Sequence, residues 1–164
     1  MATQQHTRKH SPRGMKILDR LDLYTDKTGE CWLWTGSLNR IGYGKIMVGG
    51  KIVGAHRIAY EMAFGTIPSG LQIDHTCHTR ACVNPDHLRP VTNKQNAENR
   101  TGAQANSKSG VRGVSWYAPR KKWQAQVMHN GQQFHLGLYA TVAEAGAVAQ
   151  AKRLELFTHN DTDK

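Results

Sequence analysis

The residues best suited to chemistry in this chain lie in one short stretch, residues 74–96, which reads DHTCHTRACVNPDHLRPVTNKQN. It holds two cysteines and three histidines. Thiolate and imidazole are preferred ligands of Zn²⁺, and a small loop-rich domain gains much of its folding free energy from such an ion. The stretch therefore predicts a loop held together by a metal, with His75 beside it.

The proposed ligands of this metal are three cysteines and one histidine. Cys77, Cys82 and His87 follow one another at intervals of five residues, and Cys31 is the only other cysteine in the sequence, so we assign it as the fourth ligand of a structural Zn²⁺. His78 is the alternative to His87, although the Pro-Asp-His-Leu context favours His87. In a competing interpretation the cysteines are small core residues, but polar residues surround those in the loop.

The composition narrows the class of protein. The chain has 164 residues and a formal charge of +10, from 22 Lys and Arg against 12 Asp and Glu, which favours a polyanionic partner such as nucleic acid or an anionic membrane surface. No apolar run approaches the roughly 20 residues of a membrane span. The beginning, MATQQHTRKHSPRG, has no apolar segment behind it. We therefore expect an intracellular protein that is neither secreted nor bound to a membrane, and three cysteines suit a reduced metal site better than disulfides.

Short elements must position the ligand-rich loop. The run MKILDRLDL predicts a short helix or turn, and residues 31–53 predict small antiparallel strands with a hairpin at Gly49-Gly50. The segment AHRIAYEMAF predicts a helix with Arg57 near its start. The runs LQID and LRPV predict strands on either side of the loop, and the capping-box pattern of Thr92 and Gln95 predicts a helix with Asn96 in its first turn.

A second module follows residues 101–109, which are small and polar and predict a linker. Three strand-like runs come next, with Asn130-Gly131 as a hairpin signal between the second and third. Thr141 and Glu144 form a capping-box pattern before an alanine-rich helix. The predicted fold class is α+β: a small zinc-stapled domain, followed by a three-stranded antiparallel sheet backed by one helix.

The two faces of this predicted sheet differ in chemistry. Trp123, Ala125 and Val127 alternate along one strand and would face the helix. The opposite face would then carry Gln124, Gln126, Gln133 and His135. No acidic residue occurs between positions 98 and 144, so the sheet should carry a positive field.

The spacing of His75, Cys77, Cys82, His87 and Asn96 resembles the His-Cys box of the ββα-metal nucleases, a branch of the HNH endonucleases that includes homing enzymes. The wider frame CWLWTG, GYGKI, AHRIAYE and DHTCHTRACVNPDHL resembles phage-type HNH proteins over about residues 29–100. Five spaced positions of specific chemistry make this a strong resemblance. It implies a DNA endonuclease with a ββα-metal fold.

The resemblance also implies roles for individual residues. His75 would be the general base that takes a proton from water, which suits an imidazole. Asn96 would ligate one Mg²⁺ or Mn²⁺ through its amide oxygen. Asp74 corresponds to a second ligand of that cation in some branches of the family, whereas in the His-Cys box branch the alternative is that the Asn serves alone. Arg57 would neutralise phosphate charge in the transition state. The zinc would be structural and separate from the catalytic cation.

Two further polar residues belong to this region. Asn84 supplies the middle letter of HNH, and we expect it to orient the loop or His75 by hydrogen bonding. His56 is either a second active-site group or a helix-capping residue, and the sequence leaves both interpretations open.

The second module resembles the Apetala-two/ethylene-response-factor DNA-binding domain over about residues 109–158. The matching features are RGV, W-x-A-x-V, HLG-x-Y and the alanine-rich helix. That resemblance implies a sheet in the major groove of double-stranded DNA. Ser115 and Tyr117 stand where plant members tend to carry arginines, so the plant target sequence is not transferred. The predicted DNA contacts are Arg112, Tyr117, Arg120, Lys121, Lys122, Gln124, Gln126, Gln133 and His135.

Together the sequence predicts a site-directed DNA endonuclease of phage or homing type. A non-catalytic, sequence-specific DNA-binding regulator with a structural zinc is the alternative. RNA is a less favoured partner because neither module shows an aromatic stacking platform, and a homodimer is neither required nor excluded. The predicted organisation is a basic arm (1–22), an HNH nuclease domain (23–100), a linker (101–109), an Apetala-two-type domain (110–158) and a tail (159–164).

Overall fold

The structure is a computed structural model that describes residues 14–163. Most of the predicted basic arm lies outside these residues. The chain forms two compact units, one ending at Thr92 and the other beginning at Asn93. Among the described residues, no helix combines the length and apolar character needed to cross a bilayer.

The first unit is built from short elements around the ligand-rich loop, as the sequence predicted. Strands β1 and β2 pair with each other, as do β3 with β4 and β5 with β6, all antiparallel. The elements are α1 (Ile17–Leu23), β1 (Thr25–Asp26), β2 (Leu33–Trp34), β3 (Lys45–Val48), β4 (Lys51–Gly54), α2 (Ala55–Phe64), β5 (Gln72–His75) and β6 (Leu88–Val91).

The predicted glycine turn joins β3 to β4. Gly49 and Gly50 have φ values of 56° and 77°, a left-handed pair that matches the twist of a two-residue hairpin. Helix α2 follows β4 directly and covers the segment AHRIAYEMAF, as predicted. A buried cluster that includes Trp34, Ile46 and Ala59 forms the core of this unit.

Strands β5 and β6 form the hairpin that carries the chemistry. Their register pairs Asp74 with Arg89 and His75 with Leu88, so the ligand-rich loop connects the two strands at the His75 end. A single turn of 3₁₀-helix, Pro85–His87, leads into β6. The strand order therefore places His75 at the base of the loop that holds the cysteines.

The second unit contains α3 (Asn93–Glu98), β7 (Val114–Tyr117), β8 (Lys122–His129), β9 (Gln132–Tyr139) and α4 (Val142–Leu156). The three strands form one antiparallel sheet in the order β7-β8-β9. Asn130 and Gly131 both have positive φ, 50° and 76°, as a two-residue hairpin between β8 and β9 requires. The capping box of Thr141 and Glu144 is present at the start of α4. The predicted meander and its helix are confirmed.

The core of the second unit lies between the sheet and α4. Ala125 and Val127 of β8 are buried against Ala145 and Ala149 of α4, and Trp123 packs at the edge of this cluster. Small residues on the helix allow it to approach the sheet closely. The predicted alternation along β8 is therefore correct, and it leaves the glutamines on the other face.

Helix α3 belongs to the second unit because of its hydrogen bonds. The carboxylate of Glu98, only 4% exposed, accepts from the backbone nitrogen and hydroxyl of Thr158, each at 3.2 Å. Asn99 accepts from the backbone nitrogen of Asp161 at 3.0 Å. The division between the units thus falls ahead of α3, whereas we expected α3 to close the nuclease domain.

Candidate active site and metal centre

The cysteine–histidine group is assembled by pairing between two distant segments. The backbone nitrogen of Trp34 donates to the Ala81 carbonyl at 2.8 Å, and that of Val83 donates to the Trp32 carbonyl at 2.8 Å. This pairing of residues 32–34 with residues 81–83 brings Cys31 against the loop. The ligand atoms of the four predicted ligands all lie within 4.8 Å of one another: Cys31, Cys77, Cys82 and His87.

Asn84 ties the same loop in place, as expected. Its side-chain nitrogen donates to the Glu30 carbonyl at 2.9 Å, and its side-chain oxygen accepts from the Asp86 backbone nitrogen at 3.2 Å. The first bond fixes the residue before Cys31, and the second caps the 3₁₀ turn that ends at His87. Asn84 is therefore an orienting residue of the loop.

The donor set fits a structural zinc. Nδ1 of His87 lies 3.6 Å from the sulfurs of both Cys31 and Cys82, a spacing that suits ligands around one tetrahedral ion. Burial, together with the neighbouring Cys77 and Cys31, raises the pKa of the Cys82 thiol to about 12. A cation at the centre would reverse this unfavourable crowding by stabilising the thiolates. His78 is exposed and is not part of the group.

His75 is buried at the end of β5, with 5% of its surface exposed. Its Nε2 donates to the Cys82 carbonyl at 3.0 Å, because a carbonyl oxygen only accepts. This bond selects the tautomer in which Nδ1 carries the lone pair. Burial lowers the pKa of His75, against the opposing effects of the Cys82 carbonyl and the Asp74 charge. The neutral imidazole can therefore accept a proton at Nδ1.

Two aromatic side chains pack around His75. The His56 ring centroid lies 5.1 Å from that of His75, and the Tyr43 centroid lies 5.7 Å from it. Tyr43 and His56 are themselves 5.4 Å apart, so the three rings form a triangle. The sequence interpretation did not select Tyr43, and its position between two glycines in GYGKI was the only available signal.

Asp74 and Arg57 are charged residues next to this cluster, and they differ in their partners. Asp74 is buried and paired with Arg89, whose Nη2 lies 3.0 Å from Oδ2 of Asp74. Arg57 lies in the first turn of α2, and its charge is one of the causes that lower the pKa of the neighbouring His56. The structure thus brings His75, Asp74 and Arg57 into the first unit.

Asn96, the predicted cation ligand, lies on α3 and therefore in the second unit. It is half-buried. The geometry of the first unit assigns it no role, so its part in catalysis stays a prediction.

The second unit presents the predicted polar face. Gln124 donates to Nδ1 of His135 at 3.0 Å, and Gln133 donates to the side-chain oxygen of Gln126 at 2.6 Å. These hydrogen bonds link side chains of β8 to side chains of β9 and fix their orientation. The predicted basic residues of the β7–β8 connection are exposed, together with the aromatic residue before them: Tyr117, Arg120, Lys121 and Lys122.

Arg112, one of the predicted DNA contacts, makes several contacts within the second unit. Its guanidinium donates to the carbonyls of Ala97, Glu98 and Arg100 at 2.9 to 3.0 Å. It also lies over the Phe157 ring, 5.3 Å from the centroid. Because its donors satisfy carbonyls at the end of α3, Arg112 holds this helix, and its contact with DNA stays a prediction.

Comparison with known proteins finds a family match over part of this chain. Residues 53–98 match the HNH endonuclease family, a region that runs from the end of β4 through α3. This part of the chain is therefore similar to an HNH endonuclease domain. The match ends before β7, so the Apetala-two-type domain stays a prediction.

Relatives of the chain come mainly from phages. Protein 7.7 of Escherichia phage T7 is 42% identical over 69 residues, covering 42% of this chain and 53% of the relative. Protein 2.8 of the same phage is 34% identical over 84 residues, covering 50% and 55%. An uncharacterized HNH endonuclease of Acanthamoeba polyphaga mimivirus is 29% identical over 103 residues, covering 62% and 52%.

These matches cover only part of each relative. The chain spans about half the length of the curated relatives described above. No solved structure matches it significantly. The comparisons thus support a nuclease domain related to phage proteins, and the activity of the whole protein is a matter for proposal.

Proposed function

We propose that this protein is a metal-dependent DNA endonuclease that hydrolyses phosphodiester bonds with His75 as its general base. The observation that carries the proposal is the hydrogen bond from Nε2 of His75 to the Cys82 carbonyl, because it leaves the Nδ1 lone pair for a water proton. His75 also lies within the matched HNH region. Water that loses its proton to Nδ1 becomes the nucleophile for the phosphorus, and the departing oxygen is protonated by solvent.

The loop that carries the cysteine–histidine group supports this orientation. The carbonyl that receives the His75 hydrogen bond belongs to Cys82, which is itself one of the grouped cysteines. A structural zinc held by the four grouped residues would therefore fix the acceptor as well as the loop. The zinc would affect His75 only indirectly, by fixing the position of the Cys82 carbonyl.

A second cation would be Mg²⁺ or Mn²⁺. Asp74 and Asn96 supply oxygen ligands of the kind these ions prefer, and the cation would stabilise charge on the phosphate and the leaving oxygen. Arg57 would add positive charge beside the scissile phosphate. These three assignments come from the resemblance of the sequence to HNH nucleases.

The second unit would choose where the nuclease acts. Four hydrogen-bonded polar side chains on one sheet face, and basic residues in the adjacent connection, suit a duplex whose base edges and phosphates are read together. The phage relatives support a phage-encoded enzyme that acts on double-stranded DNA in a host cell, and the homing-type class is part of the same proposal.

The decisive experiment is cleavage of supercoiled plasmid that carries the gene's own flanking DNA, in Mg²⁺, Mn²⁺ or EDTA. We expect the wild type to cut only with metal and the His75→Ala variant to lose at least about a hundredfold in rate, because general base catalysis contributes roughly 10²–10⁴-fold. His78→Ala is the matched control, since this exposed histidine is not among the grouped residues. Intact plasmid with retained DNA binding would instead favour the non-catalytic regulator.

A further inference from the structure

His56 lies in the first turn of α2, where two roles were open for it. It does not cap the helix, because the cap position is Gly54 without a side-chain hydrogen bond. Nδ1 of His56 is buried and has no hydrogen-bond partner among residues 14–163. Its neighbours are aromatic: the rings of Tyr43 and His75 lie 5.4 and 5.1 Å from it, tilted by about 50°. Tilted pairs at this spacing are favourable contacts between rings.

The position of the His56 ring depends on the glycine two residues before it. A Cβ on Gly54 would lie 2.7 Å from Cε1 and 3.1 Å from Nδ1 of His56. The φ of Gly54 is −69°, which any residue adopts, so the backbone does not require glycine here. Helix α2 has no capping side chain at this position. Glycine at position 54 therefore leaves free the space that the His56 ring occupies.

His56 is also poorly suited to transfer protons. Burial lowers its pKa to about 4, and the charges of His75 and Arg57 act in the same direction. It is therefore neutral at neutral pH and has no proton to donate as an acid. The neutral His56 ring lies between Gly54 and the His75 imidazole. It can therefore affect His75 by packing against it rather than through a charge.

We propose that His56 is a positioning residue, whose ring rests on Gly54 and holds the His75 imidazole in the orientation that keeps Nε2 on the Cys82 carbonyl. The proposal rests on the function proposed above, because it assigns His56 an effect on the general base. It goes beyond that function by naming the Gly54–His56 contact as the element that fixes the base.

The test compares three variants of the full-length protein. His56→Phe keeps a ring and removes both nitrogens, His56→Ala removes the ring, and Gly54→Ala displaces it. We expect His56→Ala and Gly54→Ala to lower kcat by roughly tenfold to hundredfold with little change in KM, since small displacements of a catalytic group have effects of this size. His56→Phe should retain most of the rate.

Control measurements separate positioning from general damage. Phe64→Ala removes the ring of an exposed residue that pairs with Tyr60 on the same helix, 5.1 Å between centroids, and should leave kcat unchanged. Zinc content and thermal unfolding are measured for every variant. If His56→Phe is as inactive as His56→Ala, the nitrogens take part in the chemistry, and positioning by the ring is wrong.

A second readout does not depend on cleavage. Long-range ¹H–¹⁵N spectra report the tautomer of His75, which we expect to carry its proton on Nε2 in the wild type and in His56→Phe. In His56→Ala and Gly54→Ala, the signals should move toward a mixture of tautomers. An unchanged His75 tautomer in both variants overturns the proposal, whereas a wild type that fails to cleave while the tautomer shifts overturns only the nuclease function.

Discussion

Arg89 and Asp74 face each other across β5 and β6, and both Nε and Nη2 of Arg89 donate to Oδ2 of Asp74, at 3.2 and 3.0 Å. The side chain of Asp74 is 10% exposed, and that of Arg89 is 26% exposed. The carboxylate next to the proposed base is thus held by a charged partner. Any cation that Asp74 ligates must share this carboxylate with Arg89.

Removing Arg89 should leave the buried Asp74 carboxylate without the two hydrogen bonds that Arg89 donates. We expect Arg89→Ala to lower the free energy of unfolding of the first unit by roughly 1–3 kcal/mol, measured by denaturant titration. The double variant Asp74→Asn/Arg89→Ala should lose less than the sum of the two single variants, because the ion pair is removed only once. Simple additivity would show that the pair contributes nothing to stability.

The metal centre makes a prediction that distinguishes two histidines. The full-length protein should contain one Zn²⁺ per chain by elemental mass spectrometry, and His87→Ala should lose it with much of the thermal stability, because the ion contributes directly to folding. His78→Ala should keep the zinc, because this histidine lies outside the group. Loss of zinc from His78→Ala but not from His87→Ala would exchange their assignments.

The polar sheet face should distinguish base contacts from phosphate contacts. We expect Gln124→Ala to weaken binding to a preferred duplex by roughly 1–3 kcal/mol and to relax its sequence preference. Lys121→Ala should weaken binding to all duplexes alike and reduce the slope of log K against log salt by about 0.9. Fluorescence anisotropy at several salt concentrations measures both effects. Lys152→Ala on α4 is the control. If this variant loses as much DNA affinity as Lys121→Ala, the DNA does not bind specifically to the predicted sheet face.

Arg112 should matter for stability more than for DNA. Since its guanidinium holds three carbonyls at the end of α3, Arg112→Ala should lower the stability of the second unit by roughly 1–3 kcal/mol. Hydrogen exchange of the β8 amides measures this loss. Arg120→Ala, at an exposed position of the β7–β8 connection, should change it by less than about 0.5 kcal/mol. Unchanged exchange in Arg112→Ala would return this residue to the DNA contacts.

Acid should weaken the second unit through Asp163. The hydrogen bond from Arg153 is the main cause that holds the pKa of Asp163 below its ordinary value of 3.8. A lowered folded-state pKa stabilises the fold above the ordinary value, and this contribution is lost as the pH falls through the folded-state pKa. The difference in unfolding free energy between wild type and Asp163→Asn should be largest at neutral pH and shrink below about pH 4. A difference that persists undiminished at pH 2 would contradict this origin.

Much of the fold followed from local patterns. Asn130-Gly131 predicted its hairpin because only a few residues accept two positive φ values, and Thr141 predicted the start of α4 because its side chain caps the helix. Alternation along β8 predicted the buried face because side chains in a strand point to opposite sides. Each of these signals is contained within a few consecutive residues.

The candidate site was predictable only in part. The sequence predicted the group of three cysteines and His87, because their types and spacings limit their chemistry, and the role of His75 stays a prediction. The ring triangle was not predictable, because Tyr43, His56 and His75 come from three segments whose approach depends on packing. Arg112 was assigned to DNA because a basic residue before a strand looks the same whether its partner is a phosphate or a carbonyl.

The sequence by itself determined the kind of ligands, their order along the chain and the elements that flank them, since these depend on short-range spacing, turns and caps. Tertiary structure decided that Cys31 meets the loop, that His56 rests on Gly54 against His75, and that α3 is held by the C-terminal segment. Those facts depend on burial and on hydrogen bonds between residues far apart in the chain. Local patterns do not encode which distant partner satisfies a buried polar group.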